Sequence, residues 1–132
     1  MKLHILGSSS SGNCYILDGE QEALIIEAGV PFYDVKKQLA FDLGKICGVV
    51  VSHRHNDHSK YVGQYISAGI TVLSLPDVFE AKGIGKNPAA VEVEAFKEYA
   101  VGEFIVKSFP LTHDVPCAGY MIRHRECGDM IF

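Results

Sequence analysis

The segment His53-Arg54-His55-Asn56-Asp57-His58 places four potential metal ligands within six residues. Neutral imidazoles and a carboxylate suit zinc, and also iron or manganese. In a tight loop alternate residues point the same way, so His53 and His55 can converge on one ion. Asp57 and His58 follow a step later and can aim at a neighbouring point. A second cluster, Leu111-Thr112-His113-Asp114, follows another apolar run. A catalytic metal site usually takes three protein ligands and leaves a position open for water. His113 can complete such a set with His53 and His55. Asp114 reads as a turn residue, and Cys117, four positions past His113, as a structural thiol.

Two further segments offer polar groups without a metal-ligand pattern. Gly7 to Asn13 nearly matches a phosphate-binding P-loop, but Asn13 stands where the lysine is needed and Cys14 where Ser or Thr is needed. A strand also follows where a helix is required. The loop can still turn backbone N–H groups and hydroxyls toward an anion. Ser9, Ser10, Ser11 and Asn13 are therefore candidate substrate contacts. Glu27 ends an apolar run, and a carboxylate emerging from a buried strand needs a partner. A hydrogen bond to a ligating histidine would supply one. Arg54 and Lys60 border the metal loop and can meet phosphate.

The pattern around these residues alternates short strands with helices. Strands are predicted over Lys2 to Leu6, Cys14 to Asp18 and Ala23 to Glu27, the latter two as a hairpin. Pro31 suits the first position of a helix whose apolar face is Phe32, Val35 and Leu39. Cys47 to Ser52 reads as a strand buried on both faces. The histidine loop follows it directly, at the carboxyl end of a strand, where α/β sheets place their sites. Ser59 is predicted to cap a helix running to about Ala68, with Val62, Tyr65 and Ile66 inward. A strand over Ile70 to Leu73 and a helix from Pro76 to Gly83 come next. Strands over Ala90 to Val93 and Phe104 to Phe109 precede a hairpin of Gly119 to His124 with Asp129 to Phe132. This order predicts a layered α/β fold in one domain over residues 1–132.

Composition fits that class. The chain has 132 residues, 48% of them hydrophobic and 21% charged, which excludes intrinsic disorder. No apolar run approaches the ~20 residues of a membrane span, so no membrane partner is expected. The opening residues are too soon interrupted by Gly7 to serve as a signal peptide, so a cytoplasmic protein with four reduced cysteines is expected. The net charge of −4 argues against gripping nucleic acid by bulk charge, though not against a local site.

These residues resemble the metallo-β-lactamase superfamily. Its signature, H-x-H-x-D-H after a strand, is present as His53, His55, Asp57 and His58. Ala23 to Gly29 is similar to the family's "LIIDAG" strand, with Glu27 where Asp is more usual. Gly7 to Asn13 resembles the "SSSGN" loop of the subgroup that includes WalJ/YycJ-like exonucleases. The resemblance implies an αββα sandwich, here its N-terminal portion only. It implies one or two divalent ions, zinc by preference, with manganese or iron possible. His53, His55 and His113 would hold the first, and Asp57 and His58 part of the second, with Asp57 catalytic. A hydroxide between the ions would be the nucleophile. The family's bridging aspartate and last histidine have no counterpart here, so the second position is expected to be incomplete. The implied function is metal-dependent hydrolysis, with a phosphodiester or nucleic acid as the expected substrate. Hydrolysis of thioesters, lactones or amides and metal binding without turnover are the rival readings. A strand ending near Phe132 is expected to leave a sheet edge open, and homo-oligomerisation through that edge is expected with it.

Overall fold

The computed structural model describes residues 1–132 and builds two β-sheets packed face to face, with helices on the outer side of the first. The first sheet has six strands: β1 (Lys2–Ser9), β2 (Gly12–Asp18), β3 (Ala23–Ile26), β4 (Ile46–Val50), β5 (Val72–Ser74) and β6 (Ala90–Glu92), in that spatial order. β1 to β3 are antiparallel, and β3 to β6 are parallel. Parallel neighbours need crossover connections. These are α1 (Phe32–Gln38), the pair α2 (Asn56–Ser59) and α3 (Val62–Ser67), and α4 (Pro76–Ala81). The second sheet is antiparallel: β7 (Glu98–Val101), β8 (Phe104–Leu111), β9 (Cys117–His124) and β10 (Gly128–Ile131).

The run Val49-Val50-Val51 is apolar throughout because the first sheet is covered on both faces. Val49 and Val51 pack under the helices with Ile25, Phe32, Val35 and Tyr65. Val50 faces the second sheet, with Leu24, Ile26, Phe104, Val106, Tyr120 and Ile122. Two polar contacts pin the sheets together beside the histidine loop. The Tyr120 hydroxyl donates to the Val51 carbonyl at 2.8 Å. The Ala118 N–H donates to the Ser52 carbonyl at 2.9 Å. The mixed α/β class matches the sequence expectation. These residues build three layers, α, β and β, of the four in an αββα sandwich.

Several local expectations are corrected. Ser59 does not cap a helix. It closes the single turn α2, and its buried hydroxyl donates back to the Arg54 carbonyl at 2.6 Å, with the His55 carbonyl 3.0 Å away. Such back-bonding competes with helix continuation, and α3 restarts at Val62. The Gly/Ser segment is a tight hairpin tip rather than an open loop, since β1 runs to Ser9 and β2 begins at Gly12. β8 continues through Pro110 to Leu111. Proline is tolerated there because β7 pairs only with Phe104 to Lys107, leaving that side of β8 free of ladder hydrogen bonds. β7 itself, half-exposed Glu-Tyr-Ala-Val, carries too little apolar alternation to be read from sequence.

Candidate metal centre

Three loops meet at one end of the sandwich. One leaves β3 (Glu27 to Pro31), one leaves β4 (Val51 to His55), and one joins β8 to β9 (Thr112 to Pro116). The nitrogens of His53, His55 and His113 lie within 4.8 Å of one another, although His113 is 58 positions beyond His55. Ring centroids are 4.9 Å apart for His53 and His55, 4.5 Å for His53 and His113, and 5.2 Å for His55 and His113. The His58 ring centre lies 4.2 Å from that of His53, with the two planes tilted by 42°. His58 Nε2 and Asp57 Oδ2 stand 3.5 Å apart.

Glu27 lies behind this group and is 6% exposed. Its carboxylate accepts from the Ser52 N–H at 2.7 Å and from the Ser52 hydroxyl at 2.8 Å. It is also bonded to His58 Nδ1. Ser52 Oγ is in turn 2.7 Å from His53 Nδ1. A hydroxyl has one proton. Given to Glu27, it leaves Ser52 Oγ to accept from His53 Nδ1–H. The same carboxylate thus assigns the proton of two imidazoles to Nδ1, leaving each Nε2 as a lone pair. A ring nitrogen held this way is a more basic and better oriented metal ligand. Glu27 was expected to be a strand residue; it is instead the turn after β3, with φ of 70°. That left-handed conformation costs a non-glycine residue on the order of 1–3 kcal/mol.

Asn13 is buried rather than presented to solvent. Its amide nitrogen lies 2.9 Å from the Ser9 carbonyl and 3.1 Å from the Asp57 carbonyl. It is 3.3 Å from both Asp57 Oδ2 and His58 Nε2. Two protons cannot serve four acceptors, and the two carbonyls are closest. Asn13 therefore ties the β1–β2 hairpin to the metal loop, a correction to its reading as a substrate contact. Of the three serines, Ser9 supplies a carbonyl to that tie, while Ser10 and Ser11 form the exposed hairpin tip. Gly29 completes the junction: a Cβ there would stand 1.9 Å from the Asp57 carbonyl oxygen, so only glycine allows the approach.

Burial, and after it the imidazoles of His113 and His55, holds His53 below the usual histidine range. Burial, then His113, does the same to His58. Both therefore stay neutral at neutral pH, as metal ligands must. Cys117 Sγ lies 3.7 Å from His53 Nδ1, on the side of the ring away from its lone pair, and burial pushes its thiol pKa up. It packs behind the His53 ring. Arg54 is engaged with Asp77 at 3.4 Å, whereas Lys60 has no carboxylate partner. Sequence reasoning missed two residues. Ser52 could have been found as a hydroxyl directly before His53. Asp114, read as a turn residue, contacts His113 Nδ1 and lies 3.4 Å from His55 Nε2.

The residues fit a metal. The nitrogens of His53, His55 and His113 converge within 4.8 Å, and His58 Nε2 stands 3.5 Å from Asp57 Oδ2 beside the His53 ring. Such a set suits a borderline divalent ion.

Comparison with known proteins gives this geometry a family. The family model for the metallo-beta-lactamase superfamily matches residues 9–98. The chain belongs to the metallo-β-lactamase superfamily. The superfamily chain is 27% identical over 123 residues to "Exodeoxyribonuclease WalJ" of Streptococcus pneumoniae, covering 86% of this chain and 46% of that protein. It is 31% identical over 68 residues to "Exodeoxyribonuclease YycJ" of Bacillus anthracis, covering 48% of this chain and 26% of the relative. It thus spans about half the length of the curated relatives or less. Among solved structures it is similar to the metallo-beta-lactamase fold protein YhfI of Bacillus subtilis. The TM-score is 0.75 at 14% identity, over 98% of this chain and 60% of that one. The short form of human tRNase Z gives a TM-score of 0.72 at 15% identity, over 100% of this chain and 68% of that one. At these identities the structures establish the fold. No helix is long and apolar enough to cross a membrane.

Two outcomes follow. Glu27→Gln keeps the volume but removes the charge that assigns the two Nδ1 protons, and should weaken zinc binding by about 10–100-fold. Competition with a chromophoric chelator measures this, and circular dichroism should show the fold intact; unchanged affinity would contradict the role given to Glu27. In chelator-treated protein the lowered pKa values of His53 and His58 favour their neutral forms. Their contribution to stability is full above the unfolded histidine value near ~6.5 and is lost as pH falls through the lower folded values. Urea unfolding should therefore show stability declining below about pH 6.5. Replacing both histidines with glutamine should flatten that decline.

Proposed function

We propose that this chain builds the metal centre of a hydrolase acting on phosphodiester bonds, with nucleic acid as the substrate class. The observation that carries the reading is the convergence of His53, His55 and His113, from two separate loops, beside the His58–Asp57 pair. The names of the WalJ and YycJ relatives support the substrate class.

In this reading His53, His55 and His113 hold one divalent ion, zinc by preference, and His58 and Asp57 face a second position. When bound, such an ion lowers the pKa of water toward neutrality and polarises a phosphoryl oxygen. The chain's own groups do the rest. Glu27 and Ser52 keep the two imidazoles in the binding tautomer. Asn13 and Gly29 hold Asp57 against the β1–β2 hairpin. Asp57 Oδ2, 29% exposed as a side chain, is the base assigned to receive the proton of the attacking water. Ser9, Ser10 and Ser11, on the hairpin that Asn13 anchors, border the approach. Association of copies belongs to the same reading, as does a cytoplasmic location.

Bis-p-nitrophenyl phosphate with added manganese or zinc tests the chemistry. His53→Ala with His55→Ala should abolish both metal content and turnover. Asp57→Ala should lower turnover by about 10²–10⁴-fold, the range for a general base, while the first ion is retained. Thioester cleavage without phosphodiester cleavage would transfer the site to the rival substrate class. Full metal content in the double variant would refute the ligand set.

A further inference from the structure

An open groove of about 770 Å³ lies beside the metal loop, between α1 and the segment from Lys60 through α3. Its walls carry Tyr33 and Lys36 on one side and Lys60 and Tyr61 on the other, and no acidic side chain lines it. The ammonium of Lys36 lies 4.6 Å from the Phe32 ring centre, that of Lys37 5.7 Å from Tyr33, and that of Lys60 5.5 Å from Tyr61. None of the three lysines has a carboxylate partner, whereas all three arginines and Lys45, Lys97 and Lys107 do. In a chain of net charge −4, unpaired cations interleaved with aromatic rings form a local positive strip.

The groove is built into the framework of the site. The Phe32 N–H donates to Gln64 Oε1 at 2.9 Å, joining the start of α1 to α3. The Ala28 N–H donates to the His58 carbonyl at 2.8 Å, and the Ala28 carbonyl accepts from the Tyr61 N–H at 2.9 Å. One residue thus holds both the metal loop and the groove wall. Tyr33 is 57% exposed, with its ring between the Lys37 ammonium and Phe41, whose ring centre is 6.0 Å away.

We infer that this groove is a binding track for single-stranded nucleic acid: Lys36 and Lys60 contact phosphates, and Tyr33 and Tyr61 stack bases. The inference rests on the nucleic-acid reading of the metal centre and adds where the strand lies. A cationic groove with aromatic platforms is the means by which proteins hold single strands without reading sequence. It also explains how an acidic chain could hold an anionic polymer. The local cations are unpaired, and no acidic side chain lines the groove.

The test is fluorescence anisotropy with a labelled oligothymidylate on chelator-treated protein, so that binding is read without turnover. Lys36→Gln with Lys60→Gln is compared with Lys97→Gln with Lys107→Gln, which removes the same charge from the residue before β7 and from β8. Each phosphate contact with a single strand contributes about 0.7 to the slope of log affinity against log salt. The groove variant should therefore lose about 1.4 of slope, and bind about 25-fold more weakly at ~0.1 M salt than wild type. The control variant should stay near wild type. Tyr61→Leu should weaken binding at least about five-fold with the salt slope kept, since stacking is not ionic. Equal affinity and slope in the groove and control variants would overturn the inference. So would absence of oligothymidylate binding, or binding of an acidic peptide in its place, which would make the groove a protein-docking surface. A failure of phosphodiester turnover alone would count against the metal-centre reading and leave these binding comparisons decisive for the groove.

Discussion

One buried carboxylate organises this end of the molecule. Glu27 is almost wholly removed from water, and a buried charge is stable only when donors surround it. The Ser52 N–H, the Ser52 hydroxyl and His58 Nδ1 supply those donors. Satisfying Glu27 therefore also assigns the protons of the two histidines beside it, His53 and His58. The left-handed backbone at Glu27 fits the same demand: the chain must turn at once after β3 to place the carboxylate behind the histidine loop. Its own N–H donates to the Val50 carbonyl at 2.8 Å, which joins this turn to β4.

The two-sheet architecture gives that turn its neighbours. Parallel pairing of β3 with β4 brings Glu27 and Ser52 to the same edge, since both follow the carboxyl ends of adjacent strands. The second sheet delivers His113 from the opposite layer, and the Ala118–Ser52 and Tyr120–Val51 hydrogen bonds hold the layers in place. Three histidines from two layers are positioned by cores on both faces of β4. Core packing and ligand geometry are thus coupled here.

Sequence reasoning reached much of this through local pattern. Three histidines and an aspartate after a doubly buried valine run point to a metal loop whatever the fold, and the need of a strand-end carboxylate for a partner pointed to Glu27 behind it. Features that depend on distant partners were harder to read. Asn13 sits in a Gly/Ser segment typical of exposed loops, and only the tertiary meeting with Asp57, 44 positions away, buries it. Ser59 has the residue type of a helix cap, but its hydroxyl finds the Arg54 carbonyl and ends a helical turn instead. β7 has mixed polarity because one face meets solvent and its pairing to β8 supplies its order. The lysine and tyrosine groove has no motif at all, since its two walls come from different helices.

The central claim is that Glu27 holds His53 and His58 as Nδ1–H tautomers with Nε2 free for a metal. Long-range ¹H–¹⁵N correlation spectra of the chelator-treated protein report this directly. The account predicts that both rings show a protonated Nδ1 and an unprotonated Nε2 at neutral pH, and that zinc then shifts the Nε2 resonances. Finding Nε2 protonated in either ring, or both tautomers mixed as in free imidazole, would contradict it.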